Sequence, residues 1–233
     1  NTSSLNTITS GSLAPSKTNS VVHMRFLLLV ISLVVSANLW AISAPLGKVS
    51  QTNQSPAMMF SKWRAMLDRQ SNISGLQCET TINVCLPNKL AGQLKRLSSH
   101  NLMEKITQVN AIVNRVHYRS DKKQYGTGDY WASPMEFFDN GQGDCEDYAI
   151  AKYYALRALG VASNHLRLII ARDDQINDFH AVLSVKVGHE FYILDNRTNR
   201  IKADVKLSNL LPIYALNESQ WWLYEGALNM LRG

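Results

Sequence analysis

The run Gly141-Gln142-Gly143-Asp144-Cys145-Glu146-Asp147-Tyr148 sets a thiol between a glycine-punctuated loop and a helical pattern that continues to Gly160. Asp144 suits the N-cap, Cys145 the first helical position and Asp147 the third, where a capping-box acid reaches back. A thiol there feels the positive end of the helix dipole, which favours thiolate, the nucleophilic form. To act as a nucleophile it needs a base and a group that orients the base. Further on, Phe179 to Val187 alternates with period two, Gly188-His189 is a turn, and Glu190 to Leu194 is another strand. If Val187 faces Glu190 across that turn, Asp195 sits opposite Val182, with His180 two residues along on the same face. Such a diagonal pair lies about 7–8 Å apart at the backbone, close enough for side chains to meet. Cys145, His180 and Asp195 therefore read as nucleophile, general base and orienting acid. Taken singly, His180 could be structural and Asp195 could simply begin a turn. Their shared strand face and the thiol at a helix start favour the joint reading.

The acids beside the thiol are a separate problem. Asp144, Glu146 and Asp147 bring up to three negative charges to Cys145, and like charge disfavours a thiolate. The helix dipole supplies only about half an elementary charge, too little to offset three carboxylates. A bound cation would resolve the conflict, and clustered carboxylate oxygens suit calcium. The alternative is that Glu146 and Asp147 merely stabilise the first helical turn while Asp144 caps it.

Several elements must position these groups. Met58 to Gln70 carries Met59, Phe60, Trp63, Met66 and Leu67 at helical spacing, and Leu90 to Val116 reads as one long apolar-striped helix. Ser133-Pro134-Met135-Glu136 is a helix start with capping-box spacing. Leu166 to Ala171 is a strand that precedes the hairpin. Beyond Asn199 the pattern is irregular; the Trp221-Trp222 pair is expected in the core, with an exposed partner-binding patch as the alternative.

The chain has 233 residues, 45% of them apolar, and a formal charge of +6 spread along its length. It has no glycine-rich phosphate loop, no zinc-type cysteine pairs and no basic-aromatic run, so neither nucleotide nor nucleic-acid binding is indicated. Residues 1–23 form an unassigned polar leader. Met24-Arg25, an apolar run and small residues to Ser43 read as a secretory signal over 24–43; an uncleaved membrane anchor over Phe26 to Ala44 is the competing reading. Residues 44–57 read as a linker and 58–233 as the functional domain. In an exported protein Cys78 and Cys85 can close a disulfide, with two packed free thiols as the alternative. Cys145 would then be unpaired.

Five blocks carry a family resemblance: Tyr118-Arg119-Ser120-Asp121, Asp129-Tyr130-Trp131-Ala132-Ser133-Pro134, Gly143-Asp144-Cys145-Glu146-Asp147-Tyr148-Ala149, His180-Ala181-Val182-Leu183 and Leu194-Asp195-Asn196. Together they resemble the bacterial transglutaminase-like cysteine peptidases, and among them the LapG-type periplasmic proteases that release large surface adhesins. The resemblance spans roughly residues 58 to 225. It implies an α+β fold, papain-like or transglutaminase-like, with N-terminal helices and a catalytic helix packed on an antiparallel sheet. It implies a Cys145, His180, Asp195 triad and calcium held by Asp144 and Glu146, with Asp147 as a third ligand. The implied substrate is the N-terminal region of a giant adhesin, cut at a small-residue site, with biofilm dispersal as the result. The implied regulator is the periplasmic domain of an inner-membrane cyclic di-GMP receptor. A transglutaminase-type acyl transferase and a catalytically inactive periplasmic binding module are the alternatives in other functional classes.

Overall fold

The computed structural model describes residues 43–51, 55–71, 85–126, 128–204 and 207–227, all within a compact unit spanning Ile42–Gly233. The polar leader, the apolar run of the signal segment and Cys78 lie outside the described residues. No described helix is long and apolar enough to cross a membrane.

In chain order the elements are β1 (Ser43–Ala44), β2 (Gly47–Gln51), α1 (Pro56–Met59), α2 (Ser61–Ser71), α3 (Asn88–Leu97), α4 (Leu102–Val113), β3 (His117–Tyr118) and α5 (Asp121–Gln124). They continue with α6 (Pro134–Asn140), β4 (Gln142–Gly143), α7 (Cys145–Ala158), β5 (Leu166–Asp173), β6 (Asp178–Val187), β7 (Glu190–Leu194), β8 (Lys202–Ala203), β9 (Leu210–Leu216) and β10 (Trp221–Tyr224). Among the described residues the main sheet runs β1-β2-β10-β9-β5-β6-β7-β8, antiparallel throughout. β3 and β4 form a separate short parallel pair.

Period-two alternation gives β5 and β6 two buried faces. Leu166, Leu168, Ala181 and Leu183 join the core beneath the helices, whereas Ile169, Ala171 and Val182 pack with Trp222 and Tyr224 on the other side. α7 lies on β5 and β6 and is flanked by α4 and α6. Trp63 and Met66, one helical turn apart on α2, are wholly buried, and the Trp63 ring stacks 6.1 Å from Tyr154 of α7. Burying each such large side chain contributes about 1.5–3 kcal/mol.

Several sequence expectations are corrected. The described part of the expected 44–57 linker is built into the sheet: β2 pairs with β10, and Tyr224 Oη donates to the Pro45 carbonyl at 2.7 Å. The helix expected from Met58 breaks at Phe60, whose ring stacks on Tyr214 at 4.8 Å. The long helix from Leu90 is two, because Asn101 starts α4 with a complete capping box. Its side chain accepts from Glu104 N–H at 2.9 Å while Glu104 Oε2 accepts from Asn101 N–H at 3.2 Å. Beyond Asn199, where the sequence pattern is irregular, the described residues supply β8, β9 and β10. Of the tryptophan pair, Trp222 is buried against Arg167 and Trp221 is partly buried against Phe60. Cys85 is disulfide-bonded and Cys145 is free.

Candidate active site

Two junctions build the site. At the first, α6 opens with the expected box, in which Ser133 Oγ accepts from Glu136 N–H and Glu136 Oε2 accepts from Ser133 N–H. It closes on Gly141, in the left-handed region at φ 64°, where a side chain would be strained. β4 follows and aligns in parallel with β3, and Arg119 N–H donates to the Gly143 carbonyl at 2.8 Å. This pairing carries Asp121 to the start of α7, where its N–H donates to Asp144 Oδ2 at 3.0 Å. Gly143 has no room for a side chain: a Cβ there would lie 2.5 Å from Asp147 Oδ2 and 2.7 Å from the Phe137 ring.

The three acids around Cys145 then divide. Asp147 is wholly buried and committed to backbone, accepting from Ala132 N–H at 2.7 Å and from Asp144 N–H at 3.2 Å. Asp144 and Glu146 gather instead with Asp121, one oxygen from each lying within 4.8 Å of the others. Oδ1 of Asp121 and Oδ1 of Asp144 are buried and meet no hydrogen-bond donor. Burial and the neighbouring Asp144 charge hold the Asp121 carboxyl up at about 6. Burial raises Asp144 too, and it raises Glu146 strongly, reinforced there by the charges of Asp144 and Asp147. Sequence reasoning missed Asp121 as part of this cluster, although it closes the Tyr118–Asp121 block.

Burial first, and then the Glu146 charge, push the Cys145 thiol well above its usual range; a hydrogen bond from the Ala181 N–H works the other way. Sγ donates to Glu146 Oε2 at 3.2 Å. Burial and the neighbouring carboxylates thus both oppose a thiolate, the carboxylates in the direction the sequence indicated.

The second junction is the β6–β7 hairpin, whose register is the expected one, with Val187 opposite Glu190 and Leu183 opposite Leu194. His180 is buried on β6, and its Nε2 lies 2.9 Å from Asp195 Oδ1. Burial alone would raise the Asp195 carboxyl, but its bonds to His180 and to the Arg197 N–H hold it below the ordinary range. Asn114, the C-cap of α4, braces the loop, its Nδ2 donating to the carbonyls of Asp195 and Thr198 at 3.0 Å each. Cys145 and His180 both line a trough of about 490 Å³ with Asp144, Glu146 and Tyr214. They also line a second trough of about 390 Å³ with Ile176, Phe179 and Arg197. Tyr118 borders both.

A thiol and an acid-held imidazole at the confluence of two troughs, beneath a transglutaminase-like packing of helix on antiparallel sheet, define a cysteine peptidase. The model of the bacterial transglutaminase-like cysteine proteinase family (BTLCP) matches residues 76–210, more than half of the chain, and the chain belongs to that family. It is similar to LapG of Legionella pneumophila in several solved forms. The calcium-bound form is 32% identical with a TM-score of 0.54, covering 62% of this chain and 86% of that one. A second LapG structure is 30% identical at TM-score 0.54, covering 72% and 91%. The EGTA-treated form is 30% identical at TM-score 0.54, covering 70% and 86%. No curated protein matches the chain.

Proposed function

We propose that the protein is a calcium-dependent periplasmic endopeptidase that cuts the N-terminal region of a large surface adhesin and so releases it, promoting biofilm dispersal. The observation that carries the chemistry is the convergence of Cys145 and His180 on a shared trough, with Asp195 bonded to the imidazole. Cys145 Sγ attacks the scissile carbonyl carbon, and its proton passes to Nδ1 of His180, the ring nitrogen that Asp195 does not hold. His180 then gives the proton to the leaving amine, and water hydrolyses the thioester to restore the thiol. Asp195 keeps Nε2–H pointed at itself, which fixes the tautomer that leaves Nδ1 as the base. The Cys145 N–H, first of α7, is the natural donor to the oxyanion.

The residues fit calcium. The donor set is all oxygen, and two of its buried oxygens have no donor to satisfy them. Asp121, Asp144 and Glu146 would hold the ion. Positive charge supplied there would offset the carboxylates crowding the thiol and would give Glu146 a partner besides the Cys145 thiol. That the similar LapG of Legionella pneumophila is described as calcium-bound supports the assignment. The adhesin substrate, periplasmic location and control by the periplasmic domain of a cyclic di-GMP receptor rest on the motif resemblance and on similarity to LapG.

The test is incubation with a purified N-terminal fragment of a large adhesin encoded in the same genome. Wild type with calcium is expected to cleave it; Cys145→Ala, or wild type in EGTA, is not. Cleavage by Cys145→Ala, or indifference to the chelator, overturns the mechanism. Incorporation of a labelled primary amine at the new C-terminus would shift the reading to acyl transfer. Adding the receptor's periplasmic domain should suppress cleavage, and no suppression would remove that part of the proposal.

A further inference from the structure

Asp195 lies one residue past the end of β7, where no strand pairing fixes it. The orientation of its carboxylate depends on what grips the loop. Besides His180, Asp195 Oδ1 accepts from the Arg197 N–H at 3.0 Å. The Arg197 side chain runs to the end of β5, where Nη1 donates to Asp173 Oδ2 at 2.5 Å. Asp173 is 1% exposed. Its other oxygen accepts from Gln175 N–H at 2.9 Å and from Asn209 Nδ2 at 3.1 Å. A buried carboxylate is stable only when it is fully bonded, and this one is. The same residue ends the strand that leads into the 174–177 turn, beside the exposed Ile176 and Phe179 that line the second trough.

We infer that Asp173 is a positioning residue: by gripping the Arg197 guanidinium it fixes the peptide N–H that, together with His180, holds the Asp195 carboxylate in line. The inference rests on the triad reading above. Asp195 is braced on two sides, by Asn114 through its carbonyl and by Arg197 through its carboxylate, and only the second brace sets the carboxylate's direction. Without it Asp195 can rotate away from Nε2, and the imidazole loses its tautomer and aim. The substrate-lining turn and the triad acid therefore share one anchor.

The test compares Asp173→Asn and Arg197→Met with Arg197→Lys and Asn209→Ala in the calcium-loaded full chain, each assayed well below its own Tm. Two readouts are used. One is the downfield proton resonance of His180 Nε2–H, assigned by its loss in His180→Gln; the other is kcat and KM on the adhesin fragment. Asp173→Asn and Arg197→Met should broaden or lose the resonance and lower kcat about 10- to 100-fold with KM little changed, the size expected of a catalytic group displaced by about 1 Å. Arg197→Lys, which keeps a cation within reach of Asp173, should recover part of both. Asn209→Ala, which removes a different bond to Asp173, should lower Tm while leaving resonance and kcat unchanged. The inference is overturned if Asp173→Asn and Arg197→Met keep the wild-type resonance, or if Asn209→Ala reproduces their losses. Because the resonance does not depend on turnover, a wild type that fails to cleave the fragment counts against the substrate proposal, not against this one.

Discussion

Replacing Asp121 with Asn separates the cation site from the rest of the acid cluster. The amide oxygen can still accept from Tyr130 N–H, the bond that Asp121 makes now, and its Nδ2 can donate to a neighbouring carboxylate, so the local shape is kept. What changes is charge. The Asp121 carboxyl titrates at about 6 in the fold, against 3.8 ordinarily. A raised carboxyl pKa means that the folded protein binds more protons than the unfolded chain between those values. Without calcium, the contribution of this group to stability is therefore fully present below about 3.8 and is lost as pH rises through about 6. At pH 7.5 the ionised group costs the chelated protein about 3 kcal/mol, at about 1.36 kcal/mol per pKa unit. Asp121→Asn should remove much of that cost, so in EGTA the variant is more stable than wild type and its pH slope is shallower. Calcium reverses the balance. At about 1,000 times Kd, a ligand stabilises wild type by about 4.1 kcal/mol. Loss of one of three carboxylates weakening the site about 100-fold would cut that gain to about 1.4 kcal/mol. At about 2–4 °C per kcal/mol, the calcium-induced rise in Tm should shrink from about 8–16 °C to about 3–6 °C. Differential scanning fluorimetry in EGTA and in calcium reads both arms. A variant with the wild-type calcium shift and no gain in EGTA would refute the placement of Asp121 in the cluster.

Asp147→Asn should behave in the opposite way. With one acceptor oxygen left for the Ala132 and Asp144 N–H groups, it should lower the Tm of the calcium-loaded protein, by about 1–3 kcal/mol in stability, while the calcium-induced shift persists in the same fluorimetry. Gly143→Ala would drive a Cβ into Asp147 Oδ2 and the Phe137 ring; unfolding in urea should show a loss of about 1–3 kcal/mol, with reduced cleavage because α7 starts there. Lys152 is wholly buried on α7 with no hydrogen-bond partner for Nζ, and burial lowers its pKa to about 7 despite the nearby Asp195 charge. The folded protein then binds fewer protons than the unfolded chain between about 7 and 10.5, so wild-type stability should rise with pH across that window. Lys152→Met should flatten the slope and be more stable at pH 7 by about 2–4 kcal/mol in chemical denaturation.

Elements defined by local chemistry were legible in the sequence, whereas those defined by distant pairing were not. The start of α7 and the β6–β7 register follow from one loop and one turn, and the meeting of His180 with Asp195 follows from them by strand geometry alone. The split of α3 from α4 was also written locally, in Asn101 and Glu104, but the apolar stripe running through both helices concealed it. β9 reads poorly because Pro212 cannot donate to a ladder and normally argues against an interior strand. The sheet accommodates it at a register shift, where the pairing of β5 with β9 slips between Ile170 and Ala171 and Pro212 falls opposite Ala171. β2, with its polar Gly47-Lys48-Val49-Ser50-Gln51, becomes a strand only because β10 lies beside it.

The acid cluster shows the same division within a single helical turn. Adjacent carboxylates at positions 144, 146 and 147 look alike in a sequence, yet successive side chains on a helix point about 100° apart. The acid at the third position turns back on its own cap, which is how a capping box works. Asp147 is therefore occupied by backbone N–H groups, leaving Asp144 and Glu146 facing the trough one carboxylate short. The missing member comes from 23 residues upstream of Asp144, brought there by the β3–β4 pairing, which no periodicity announces. Glu146 then belongs to two arrangements: its Oε2 accepts from the Cys145 thiol, 3.2 Å from Sγ, and it is a member of the carboxylate cluster. A cation held at the cluster would draw on the same carboxylate that accepts from the thiol, so Glu146 is the side chain at which the two arrangements touch.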